Sequence, residues 1–170
     1  MDVESCALRL EAGAASIAAL VRGAEQAQAR WKPSPEKWSI LEVVNHLYDE
    51  EREDFRQRID FTLHRPGAPW PPIDPEGWVA SRRYAERELG PSLEAFLDER
   101  RGSVEWLRGL RSPDWSLACD HPRGFRLSAG DLLASWVAHD LLHVRQLARL
   151  HYQYVEAVSR PYSVEYAGGW

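Results

Sequence analysis

The chain has 170 residues and a formal charge of -5, from 21 basic and 26 acidic side chains, which suits one domain with its own core and leaves no basic tract for nucleic acid or a membrane surface. Cys6 and Cys119 are too few for a disulfide framework and form no Cys-x-x-Cys pair, and no stretch approaches the roughly 18 apolar residues of a membrane span. A start of Met-Asp-Val-Glu-Ser lacks the basic and apolar regions of a signal peptide, so a cytoplasmic protein with neither a nucleic-acid nor a membrane partner is expected.

From Ser5 to Arg30 strong helix formers dominate, and Leu10, Ile17, Leu20 and Val21 recur at helical spacing, which predicts a first helix. Lys32-Pro33-Ser34-Pro35 ends it, because proline lacks the amide donor. Ser39 followed by Glu42 is a capping-box pattern, and Ile40, Val43, Val44, Leu47 and Phe55 form the apolar stripe of a second helix running to His64. The proline-rich stretch 65–72 must be an irregular connection. A short helical segment over Glu76 to Glu88 carries Trp78 and Tyr84, and a third long helix runs from Pro91 to Leu110. Ser112 to Leu127 reads as a loop with a short extended piece. Ser128 with Asp131 repeats the capping box and opens a helix whose apolar face is Leu132, Trp136, His139, His143, Leu147 and Leu150.

Four long helices without strand alternation predict an all-α, up-down-type four-helix bundle, in which cofactor sites lie between facing helices. One domain is expected over 1–170, with the core at about 5–155 and a C-terminal tail over 156–170. Eight tryptophans are many for this length. They serve as core fillers, pocket walls or an apolar contact patch through which two copies pair as a homodimer.

His139 and His143 stand four residues apart on the last helix, so both imidazoles share one face, one turn apart, and can grip one metal ion. A buried imidazole pair is costly unless its nitrogens find partners, and a shared cation supplies both. His46 on the second helix is the candidate third ligand, and three protein ligands leave a position open for water or substrate. Glu50 lies about 40° from His46 around that helix. It is the candidate catalytic residue, as a fourth ligand, an orienter of a ligand or a base; the opposing reading places it in a solvated acidic run with Asp49, Glu51, Glu53 and Asp54.

The remaining histidines fit less well. His151 lies about 12 Å beyond His143 along one helix, and His64, eighteen residues beyond His46, fails on the same ground if the second helix is continuous. His121 falls in a loop. Gln146 returns to the face of His139 and can hydrogen-bond a substrate or a ligand. His139-Asp-Leu-Leu-His143 is similar to the zincin motif His-Glu-x-x-His, but Asp140 is shorter than the zincin glutamate and the third histidine lies upstream. Trp70 and Trp78 flank the proline-rich connection, where packing or a pocket wall would use them.

Two blocks, Lys37-Trp-Ser-Ile-Leu-Glu-Val-Val-Asn-His-Leu-Tyr-Asp-Glu50 and His139-Asp-Leu-Leu-His-Val-Arg-Gln-Leu147, resemble the DinB-like superfamily of small bacterial four-helix-bundle metalloproteins, which includes YfiT-like metal-dependent hydrolases. The resemblance spans about residues 5 to 155. It implies that His46, His139 and His143 hold a divalent ion, with zinc or nickel favoured by three imidazoles and iron or manganese as further candidates. It also implies an enzyme acting on a small-molecule substrate, either a hydrolase that activates water or an S-transferase that uses a low-molecular-weight thiol as cosubstrate. The alternative is a non-catalytic metal-binding module for stress response or ligand binding.

Overall fold

The computed structural model describes residues 2–65, 67–121 and 124–170. Pro66 and Pro122 of the two expected connections lie outside them. Helix α1 spans Val3–Arg22, α2 Gln26–Arg30, α3 Ile40–Glu53, α4 Phe55–His64, α5 Pro75–Ser81, α6 Leu89–Gly109 and α7 Ala129–Val158. Strands β1 (Ala118–Asp120) and β2 (Arg126–Ser128) form an antiparallel hairpin, with Cys119 opposite Leu127. This hairpin is the short extended piece expected between Ser112 and Leu127. Among the described residues no helix is long and apolar enough to cross a membrane.

The long helices build the predicted four-helix bundle, with α1 packed on α6 and α7, α3 on α6, and α4 on α7. Helix α1 therefore packs on the last two long helices, α6 and α7, more than on the next one in sequence. Both expected capping boxes are present: Ser39 accepts from the Glu42 amide while Glu42 accepts from that of Ser39, and Ser128 and Asp131 do the same. These caps fix the starts of the two helices that carry the histidines, each satisfying backbone donors that a helix leaves unpaired.

Several boundaries depart from the sequence reading. The first helix does not run unbroken to Arg30; it stops at Gly23, a poor helix former, and resumes for five residues. The second helix is not continuous to His64. Asp54 leaves the helical region at φ -114°, ψ -93°, which redirects the chain so that Phe55 stacks on Trp136 of α7 at 6.0 Å between ring centroids. The segment after Asp74 splits into α5 and a tighter 3-10 turn at Tyr84–Glu86. The last helix runs to Val158, a few residues into the expected C-terminal tail.

Two apolar clusters fill the bundle. One contains Leu10, Phe55, Ile59, Val104, Leu107, Leu133 and Trp136, and the other Ile17, Val21, Ile40, Val44, Leu47, Phe96 and Leu147. Burying each such side chain contributes about 1.5–3 kcal/mol. Between the two clusters α3, α6 and α7 carry a layer of buried polar side chains, and there the chemistry lies.

Within that layer Arg100 of α6 is 3% exposed and reaches the other three sides of the bundle. Its guanidinium donates to both Glu51 carboxylate oxygens of α3 at 2.8 and 2.9 Å, to both Asp140 oxygens of α7 at 2.6 and 2.9 Å, and to the Leu10 carbonyl of α1 at 2.7 Å. Trp136 Nε1 of α7 adds a bond to Glu51 of α3 at 3.1 Å. A Cβ on Gly13 would stand 2.2 Å from an Asp140 oxygen, so only glycine lets α1 approach this layer. Charges buried this deeply are tolerable because every donor and acceptor of the group is matched.

Candidate metal centre

One turn from that network, the structure brings His46, His139 and His143 together, each offering a ring nitrogen within 4.8 Å of the others. His46 stands two turns into α3, and the other two share a face in the middle of α7. His139 Nε2 and His143 Nε2 are 3.0 Å apart, close to the roughly 3.3 Å that two nitrogens of a tetrahedral zinc site would keep at ordinary bond lengths. The His46 ring lies 5.0 Å from that of His143 and 5.7 Å from that of His139, centroid to centroid. Trp38 and Phe55 form the aromatic walls, at 4.8 Å from His46 and 5.0 Å from His139.

The imidazoles are held neutral. Burial, with the mutual repulsion of the rings, pushes His46 down to about 3 and His139 to about 2, and burial also lowers His143. Neutral imidazole is the form that ligates a metal. His143 Nδ1 bonds to Gln146 Oε1 at 2.8 Å. The amide oxygen accepts, so the ring proton sits on Nδ1 and the Nε2 lone pair faces His139.

The centre contains unmet polar capacity. His46 Nδ1 and Glu50 Oε1 are buried, 4.0 Å apart, and neither has a hydrogen-bond partner among the described residues. Burial, then the Asp54 carboxylate, pushes Glu50 up to about 9, and the two carboxyls share a hydrogen bond. Asp54 is itself raised by burial and lies 2.9 Å from Arg58 Nε as an ion pair. Converging neutral imidazoles, a lone pair with no proton to accept and an orphaned carboxyl oxygen fit a cation between them.

The other sequence candidates sort clearly. Asp140 points away from the histidines into Arg100, so it cannot serve as a zincin-type base. The solvated acidic run is overturned: Asp49, Glu50, Glu51 and Asp54 are all buried, Asp49 against Arg82 and Tyr84. His151 is engaged by Gln28 and the Leu20 carbonyl, His64 by Asp60, and half-buried His121 sits between Trp70 and Phe125. Trp70 and Trp78 pack beneath Arg58 and Arg82 rather than walling the centre.

Sequence reasoning missed the groove outside the histidines. A cleft of about 660 Å³ is lined by His139, His143, Arg145, Gln146, Arg149 and Trp170. Trp170 reaches it because the tail folds back on α7, with Tyr152 donating its hydroxyl to the Gly168 carbonyl at 3.2 Å. No periodic signal in a Gly-Gly-Trp end announces such a contact.

The sequence pattern of the DinB superfamily matches residues 9–147. The chain belongs to the DinB superfamily. Its fold is similar to that of YfiT from Bacillus subtilis, a probable metal-dependent hydrolase with an unusual four-helix bundle topology, at TM-score 0.79 and 18% identity over 89% of this chain and 87% of that one. The mycothiol-dependent maleylpyruvate isomerase, in its unmodified form and as a point mutant, shares the fold at TM-score 0.69 and 9% identity, over 86% of this chain and 61% of that one. No curated protein matches the chain by sequence.

Proposed function

We propose that this DinB-superfamily chain is a metal-dependent enzyme acting on a small molecule, an S-transferase using a low-molecular-weight thiol or a hydrolase using water. The observation that carries the reading is the set of three neutral imidazoles, those of His46 and His143 buried and that of His139 half-buried, whose ligand atoms lie within 4.8 Å of one another and whose α7 members line a cleft. His46, His139 and His143 would hold the ion; zinc or nickel suits three imidazoles best, with iron or manganese next. When bound, a divalent ion lowers the pKa of water or a thiol so that an anionic nucleophile exists near neutral pH.

The surrounding residues have separable tasks. Gln146 orients His143 by accepting a hydrogen bond from its Nδ1–H. Trp38 and Phe55 exclude water from two of the rings, which strengthens electrostatic interactions inside the site. Glu50 is assigned to proton exchange: near neutral pH it holds a proton on its buried carboxyl, shared toward Asp54, beside the His46 ring. The similarity to a probable metal-dependent hydrolase and to a mycothiol-dependent isomerase supports one fold serving both nucleophiles.

The test is a panel of low-molecular-weight thiols with electrophiles, and of esters and amides, assayed with zinc- or nickel-loaded protein, with chelated protein and with His143→Ala. Turnover confined to the loaded wild type is expected. Equal turnover after chelation would overturn the metal's role in catalysis, and no turnover from loaded protein across the panel would overturn the reading in favour of a non-catalytic metal-binding module.

A further inference from the structure

We propose that the groove over the histidine cluster recognises a carboxylate on the small molecule delivered there, through Arg149 together with Arg145 and Lys37. The inference deepens the functional reading above by naming a substrate class, and rests on it for the site's use. The cleft beside His139 and His143 adjoins a second one of about 460 Å³ that contains Lys37 and Trp38, and Gln146 and Arg149 border both. Apart from the two histidines, every ionisable side chain lining the pair of clefts is a cation, in a chain whose net charge is -5.

The two arginines are uncommitted, and Lys37 feels only the fully exposed Glu36 beside it. Arg22, Arg30, Arg82, Arg100 and Arg108 each hold a carboxylate of the chain, whereas Arg145, Arg149 and Lys37 hold none among the described residues. Arg145 and Arg149 are four residues apart on α7, so like charges sit on one helical face, an arrangement that is unfavourable until an anion answers it. Gln146 adds to the same sign of demand: its oxygen is used by His143, which leaves its amide N–H groups as the free donors. The groove thus offers donors and positive charge, with Trp38 and Trp170 as aromatic walls.

A carboxylate fits this set better than a phosphate. Guanidinium forks bind carboxylate and phosphate alike in a bidentate manner, so the backbone decides between them. Phosphate sites typically add free backbone N–H groups from a helix start, and here the arginines stand in the interior of α7, where the amides are engaged in the helix.

Calorimetric titration with succinate at low salt tests the proposal, using metal-loaded and chelator-treated wild type and the exposed-residue variants Arg145→Gln and Arg149→Gln. Succinate is expected to bind both forms of the wild type, each variant to weaken it about tenfold, and neutral succinamide to give no binding. Absence of succinate binding to wild type, equal affinity in the variants, or inorganic phosphate binding more tightly than succinate would overturn it. Because the chelator-treated arm needs no ion, a failed metal assignment leaves this result standing, and a failed groove leaves metal binding untouched.

Discussion

Glu50 and Glu51 are successive residues of α3, and His139 and Asp140 are successive residues of α7, yet the two members of each pair meet opposite surroundings. Glu51 and Asp140 turn into Arg100 and find every oxygen matched. Glu50 and His139 turn the other way by about 100°, toward a group with an orphaned carboxyl oxygen, an unpartnered ring nitrogen and two imidazoles nose to nose. Both regions are buried and polar, so burial alone does not separate scaffold from site. Saturation does: the layer that satisfies itself holds the four helices in register, and the layer that does not is the one shaped for something from outside.

That contrast can be broken from either side. The largest effect is expected from Arg100→Met, which strands Glu51 and Asp140 as buried charges and should cost about 3–5 kcal/mol in urea unfolding. Replacing Arg100, Glu51 and Asp140 together by apolar residues should recover most of that loss. A mild single-mutant effect would show that the network is not the structural half of the pair.

His143→Ala probes the other half. Metal-free, its cost should be confined to the cavity left by the ring, about 2 kcal/mol and below that of Arg100→Met, because a neutral buried ring leaves no stranded charge. What it should lose is ligand-linked stabilisation, about 2.7 kcal/mol for wild type at a metal concentration a hundredfold above its dissociation constant. Thermal shifts with and without zinc read both numbers. Gly13→Ala comes next: a methyl pressed against Asp140 should cost about 1–3 kcal/mol by overpacking, and metal affinity should change little if the two layers are independent.

The pH response is the gentlest lever, at most about 1.4 kcal/mol per pH unit for each group. The histidines are held below their ordinary 6.5, so the unfolded chain binds more protons there and metal-free protein should lose stability as pH falls below 6.5. Glu50 is displaced upward, from 4.5 to about 9. Between those values the folded state holds the extra proton, so stability should fall as pH rises from neutrality toward 9, and Glu50→Gln should flatten that slope in denaturant titrations.

Much of this was legible in the sequence because it is local. A serine three residues ahead of a carboxylate announced each capped helix, and the His139/His143 spacing fixed a shared face before any packing was known. The Arg100 network was hidden because its partners lie 49 and 40 residues away; the available hint was a charged residue at helical spacing between Phe96 and Val104 on an apolar face. The acidic stretch after His46 misled for a related reason. Five carboxylates in six residues resemble a solvated surface until the arginines and Tyr84 that answer them are in place. Periodicity identifies which face a side chain occupies and is silent on what meets it there.

The most direct measurement is metal analysis and metal-edge X-ray absorption on protein purified without an affinity tag, alongside the His46→Ala, His139→Ala and His143→Ala variants. The account predicts one divalent ion per chain, about three nitrogen ligands at 2.0–2.1 Å if it is zinc, one exchangeable oxygen, and loss of the ion in each variant. An ion retained by all three variants, or a wild type that takes up none when zinc or nickel is supplied, would contradict it.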